Sequence, residues 1–227
     1  MSERHDIYRH IHKGLRLASC TMLVRLGAAD WSDAASSEAL MAELREHLVL
    51  AAKHLDHEEA EIHAVLRARA ATLGALLDRD HADHHAAFAA LERSIAAVEA
   101  AKGPLREAAG HRLYLAFTRH VGEDLLHMAR EEEEAMPALQ ATFPDAELEA
   151  MHNRIKAQIP PDRLTAYFRL ILAGCSPAER VMLMADMRDN APPEVYLLVE
   201  RDSARAGLTD AEWRALQASL AQLPAAA

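Results

Sequence analysis

Two segments of this 227-residue chain repeat one another at a constant offset of 73 residues, and both are written in helical spacing. His47 corresponds to His120, His54 to His127, Glu58 to Glu131, Glu59 to Glu132 and Leu66 to Leu139. The shared kernel is His-x-x-x-Glu-Glu, His-Leu-Asp-His-Glu-Glu from 54 and His-Met-Ala-Arg-Glu-Glu from 127. Residues four apart lie one above the other on one helical face, so each copy offers an imidazole and a carboxylate side by side. Flanking leucines keep the same period and put that face toward a core. A glutamate facing inward is costly unless it is paired or bound to a cation. Two such kernels in matching positions point to a metal site shared between helices.

Four long helical segments precede about residue 143. The first runs from about Asp6 to Leu26, with Ile11, Leu15, Met22 and Leu26 on one stripe. The second starts near Ser37 as N-cap and carries Leu40, Leu44, Leu48, Leu55, Ile62 and Leu66. A turn is expected at Thr72-Leu73-Gly74, and the third helix follows from about Leu77 to Lys102. Gly103-Pro104 ends one helix and begins the fourth, since proline suits a first helical turn. Short connections between long helices predict an all-α, up-down-up-down four-helix bundle over residues 1–143. Residues 144–227 read as a C-terminal extension of shorter helices, Ala146–Gln158, Asp162–Ala173, Pro177–Arg188, Pro193–Ala206 and Asp210–Leu223, with Ser176 and Thr209 as caps. Their apolar stripes are expected to pack on the bundle or on a protein partner.

Composition narrows the function classes. Hydrophobic residues are 51% but aromatics only 4%, and alanine-rich, glycine-poor stretches favour helix throughout. A net charge of −10 gives no footprint for nucleic acid or an anionic membrane. The opening residues have no apolar core of the signal-peptide kind, and no run of about eighteen apolar residues follows. Cys20 and Cys175 do not form a disulfide framework, and Cys20 reads as core. The expected location is cytoplasmic.

Fourteen histidines are present, none beyond His152. Adding the repeat offset to His12 gives His85, so the first and third helices also carry matching imidazoles. His81, one turn before His85, faces the same way. The candidate ligands are therefore His12, His54, Glu58, His81, His85, His127 and Glu131. Mixed imidazole and carboxylate ligation favours iron, with manganese or zinc as alternatives. Two ions sharing two bridging carboxylates would keep open positions for a small ligand. His47 and His120 read as surface or partly buried, and His57 with Glu61 forms an alternative pair on another face. His63 flanks the motif, and His84 reads as solvated.

These residues resemble the hemerythrin-like proteins, which repeat a His–His-x-x-x-Glu unit within one bundle. The resemblance covers about residues 5–143 and implies two iron ions joined by an oxo or hydroxo bridge. Both His81 and His85 as ligands would resemble the oxygen carriers; His81 alone resembles the iron-sensing F-box subunit of a ubiquitin ligase. Oxygen carriers have an aspartate five residues after the fourth-helix histidine, where this chain has Glu132. The symmetric His127/Glu131 pair is more similar to the sensor and nitric-oxide-related branches. The expected function is binding of oxygen or nitric oxide, or sensing of oxygen, iron or redox state. The alternative is a di-iron enzyme that reduces peroxide or nitric oxide, or that takes part in iron–sulfur repair.

Overall fold

The computed structural model describes residues 4–223, the side chains of residues 161 and 162 excepted. Residues 1–3, where the signal-peptide reading begins, lie outside them. The described chain is all-helical, with no strand among the described residues. It packs as two compact units: residues 4–8 with Ala18–Gln158, and Arg9–Leu17 with residues 159–223.

In the first unit the long helices are α1 (Arg9–Gly27, from Ala18 onward), α2 (Ala34–Glu58), α4 (Ala71–Ala100) and α5 (Pro104–Arg130). A short α3 (Ala64–Arg69) continues α2, and α6 (Met136–Thr142) continues α5. One apolar cluster draws Met22 and Leu26 from α1, Leu40, Met41, Leu44 and Leu48 from α2, Leu91, Ile95 and Val98 from α4, and Leu113, Phe117 and Val121 from α5. A second gathers Tyr8, Ile62, Leu66, Leu77, Met136, Leu139 and, from α7 (Asp145–Ala157), Leu148 and Met151. Along α2 and α5 the chain passes from the first cluster to the second; along α1 and α4 it passes the other way. Successive long helices therefore alternate in direction. The kernels at 54–58 and 127–131 fall between the two clusters on their helices.

Two local expectations are corrected. Asp33, not Ser37, caps α2 by accepting from the Ala35 and Ser36 amides, while Ser37 is buried and donates to the Asp33 carbonyl at 2.7 Å. The break before the third helix falls at Ala70 instead of at Gly74. Gly74 lies inside α4 because a Cβ there would come within 2.8 Å of the Arg67 backbone, so two helices meet at that point. The first unit runs on to Gln158, since Leu148 and Met151 complete the second cluster.

Both kernels run into a π-helical turn, Glu59–His63 after the first and Glu131–Ala135 in the second. The second turn has a visible cause. Pro137 cannot donate a backbone hydrogen bond, and its ring crowds the preceding turn. A wider turn ahead of it relieves both problems. No proline follows the first, and we have no local cause for it.

The second unit has a core of its own. α8 (Pro161–Gly174), α9 (Pro177–Asn190), α10 (Pro193–Val199) and α11 (Asp210–Gln222) enclose Leu172, Met184, Val199, Leu208, Leu216 and Leu220. The expected apolar stripes thus cover one another. Ser176 and Thr209 cap their helices as expected, and they do so reciprocally with Glu179 and Glu212. The start of α1 meets α8 through glycine: a Cβ on Gly174 would lie 2.5 Å from the Lys13 carbonyl, and one on Gly14 2.7 Å from that of Leu170. Lys13 Nζ is 2.5 Å from Glu179. Cys20 is exposed and Cys175 buried, the reverse of the core role expected for Cys20.

Arg180 organises this unit. It is buried, donates to the Leu172 and Ala173 carbonyls that end α8, and reaches Glu212 at 2.8 Å. Arg180→Ala is expected to destabilise the chain by about 2 kcal/mol, because two carbonyls and a carboxylate lose their donor together. A urea-unfolding midpoint unchanged from wild type would show that water replaces the guanidinium at no cost.

Candidate metal centre

Between the two apolar clusters, α2, α4 and α5 bring Glu58, His81, His127 and Glu131 together. One ligand-capable atom from each lies within 4.8 Å of the others, and all four residues are buried. The nitrogens converge: His81 Nε2 is 3.1 Å from His127 Nε2, 3.6 Å from Glu58 Oε2 and 3.8 Å from Glu131 Oε1. His127 Nε2 is 3.4 Å from Glu131 Oε2. His54 Nε2 lies 3.0 Å from Glu58 Oε1. The two oxygens of Glu58 therefore face different imidazoles, and so do those of Glu131, whose Oε1 is also 4.0 Å from His63 Nε2.

His63 is the residue that spacing did not single out. Five residues after Glu58, it would stand about 140° around a regular α-helix. The π turn Glu59–His63 is closed by bonds reaching one residue further, which carries His63 back over Glu58. It is fully buried, with its ring centroid 4.2 Å from that of His81. The internal repeat could not find it, because 73 residues on stands Met136. Tyr8 is a second omission. It is fully buried, and burial first, then the charges of Glu131, Glu58 and Asp6, push its hydroxyl well above the usual phenol range.

Each converging imidazole has its other nitrogen against an acid. His63 Nδ1 is 3.0 Å from Asp78, His81 Nδ1 is 3.1 Å from Glu59, and His127 Nδ1 is 3.5 Å from Asp80. Two of these acids are themselves held, Asp78 by Arg67 at 2.8 Å and Asp80 by Arg130. Such partners fix ring orientation and turn Nε2 inward.

His85 is not brought into this group. Its side chain is 38% exposed and stands 3.3 Å from Glu59. Of the two third-helix histidines, only His81 faces Glu58 and Glu131. His12 is fully buried on the Arg9–Leu17 stretch of α1, in the second unit. The alternative pair of His57 and Glu61 points elsewhere: Glu61 accepts from Arg154 at 2.6 Å and from Gln158 at 2.8 Å. Cys20 is exposed and Cys175 belongs to the second unit, so the donor set here is nitrogen and oxygen alone.

The electrostatics fit a cation. Burial, then the neighbouring Glu58 charge, raises the Glu131 carboxyl well above its ordinary range. Burial pushes His81 down to about 2, leaving a neutral imidazole of the kind metals require. For His63 burial acts downward too, but Glu131, Glu58 and Asp78 outweigh it and the ring ends above its ordinary value. Two buried carboxylates facing one another are a costly arrangement by themselves, and a bound cation removes that cost.

A further histidine group lies alongside. His47, His84 and His120 are buried, against the expectation that they are exposed, partly buried or solvated. His47 Nε2 is 3.0 Å from the Ser19 hydroxyl, and His120 packs between Phe88 and Phe117 at ring distances of 5.1 and 5.9 Å. No protein-family model, curated protein or solved structure matches this chain. No helix among the described residues is long and apolar enough to cross a membrane.

Burial pushes His47 down to about 4, and burial with the charges of His84 and His47 pushes His120 down to about 3. Their folded values lie below the ordinary one, so the unfolded chain takes up these protons first as pH falls through about 6.5. Stability is present above that pH and is lost below it, by about 2 kcal/mol for each ring at pH 4.5. His120→Phe should flatten this slope. Urea midpoints of both proteins at pH 7 and pH 4.5 give the comparison, and equal slopes would refute the assignment.

Proposed function

We propose that this chain is a non-haem di-iron protein, a four-helix bundle of the hemerythrin type, that binds or senses a small diatomic ligand. The observation that carries this reading is the set of three imidazoles, His63, His81 and His127. Each has one nitrogen toward Glu58 or Glu131 and the other toward a further acid. A chance cluster of buried histidines would not orient every outer nitrogen on a carboxylate. The alternating directions of the four long helices, with the kernels between two apolar clusters, support the bundle.

Glu58 and Glu131 each face two different imidazoles, which suits carboxylates that bridge two ions. His54, His81, His127 and His63 would supply nitrogen to the pair. The donor set favours iron, with manganese or zinc as alternatives. Two iron ions held there would supply reversible binding of oxygen or nitric oxide, or electron exchange with them. The chain's own residues do the rest. The acids Glu59, Asp78 and Asp80 hold the rings in register, and the apolar clusters above and below exclude bulk water.

Ferrous iron added anaerobically to the metal-free protein should bind at two ions per chain. His127→Ala and Glu58→Ala should abolish most of that binding, and His63→Ala should weaken it, whereas His85→Ala should leave it unchanged. Asp80→Asn should lower affinity about tenfold or more, because it loosens a ligand's orientation without removing it. Exposing the loaded protein to oxygen, nitric oxide and peroxide then separates the readings. A reversible spectral change supports binding or sensing, and repeated turnover supports an enzyme. Substoichiometric uptake of every transition metal tried, unaffected by His127→Ala, would sink the proposal.

A further inference from the structure

A cavity of about 330 Å³ opens beside the centre, lined by Asp80, Asp83, His84, Glu123, Leu126, His127 and Arg130. Its lining is graded by depth. Asp83 and Glu123 are exposed, Asp80 and Arg130 are partly buried, and His84 and His127 are buried. The acids divide by commitment as well. Asp80 is occupied by Arg130 and His127, whereas Asp83 and Glu123 have no hydrogen-bond or ion-pair partner among the described residues. His84 is 3% exposed, and its Nδ1 is a buried nitrogen without a hydrogen-bond partner. Its ring centroid is 5.0 Å from that of His127.

We propose that this cavity is the entry route for the metal, with Asp83 and Glu123 collecting a divalent cation at the mouth and His84 passing it inward to His127. The inference rests on the metal-centre reading. A centre enclosed between two apolar clusters has to be loaded through its side, and a hydrated cation needs donors in sequence to shed its water. Uncommitted carboxylates attract the ion, and an imidazole replaces water ligands further in. The other cavity near the centre is less suited. Its acids are engaged, Glu59 by His81 and His85, Asp78 by His63 and Arg67, and Asp56 by Lys53, and no buried histidine lines it. His84 stands outside the converging group, so its role is in transit and not in the final coordination.

The test follows cobalt(II) uptake by the metal-free full-length chain, using the visible absorption of the bound ion in a stopped-flow instrument. Asp83→Asn/Glu123→Gln should load about tenfold more slowly, the lower range for loss of electrostatic steering. Its end point should equal that of wild type. The wild-type rate should fall as ionic strength rises, and the variant's should fall much less. His84→Gln should also slow loading without changing the end point. Asp56→Asn, in the other cavity, should load at the wild-type rate. Wild-type loading rates in the double variant, or a wild-type rate indifferent to salt, would overturn the entry route while leaving the centre intact. A zero end point in wild type would overturn the centre and the route together. Circular dichroism of each variant confirms that a slow rate belongs to a folded chain.

Discussion

The rest of the first unit is arranged around two buried carboxylates. Glu58 and Glu131 stand where water does not reach, close enough that the charge of one raises the proton affinity of the other. A chain would not retain such a pair in its core for stability, because each ion loses its hydration and gains a like-charged neighbour. What surrounds them makes sense as compensation. Imidazoles converge on the carboxylate oxygens, and a cation placed among them would turn repulsion into ligation. The proposed di-iron function is the reading that removes the conflict.

The outward layers follow from the same constraint. Rings that converge must be held, and the chain does this with a graded set of charges: Asp78, Asp80 and Glu59 on the imidazoles, then Arg67 and Arg130 on two of those acids. Helix α4 supplies His81 and both aspartates from about a single turn. It is the element that links the two kernel helices chemically as well as by packing. The entry route inferred for the metal uses the next turn of α4, where Asp83 is uncommitted and His84 is buried. Holding the ligands and admitting the ion would then be neighbouring tasks of one helix.

Much of this was legible in the residues because a helical face is a periodic object. The offset of 73 singled out His54, Glu58, His127 and Glu131 without any structure, and Ser176 and Thr209 were legible as caps. The failures have separate causes. His63 depends on a π turn, which breaks the periodicity from which it would be read. Tyr8 precedes the first helix and belongs to no repeat. His84 and His120 were set aside because a histidine in an alanine-rich helix carries no mark of which face it occupies. Gly74 looked like a turn because close approach and chain reversal ask for the same residue.

The sequence by itself determined an all-helical chain and two matched His-x-x-x-Glu faces, because both are local consequences of 3.6-residue periodicity. Tertiary structure alone decided between His81 and His85, putting the first among Glu58, Glu131 and His127 and leaving the second at the surface with Glu59. Four residues apart on one helix, the two are alike in sequence. Which one meets the carboxylates depends on how α4 is rotated against α2 and α5, and that rotation is set by packing in the two apolar clusters.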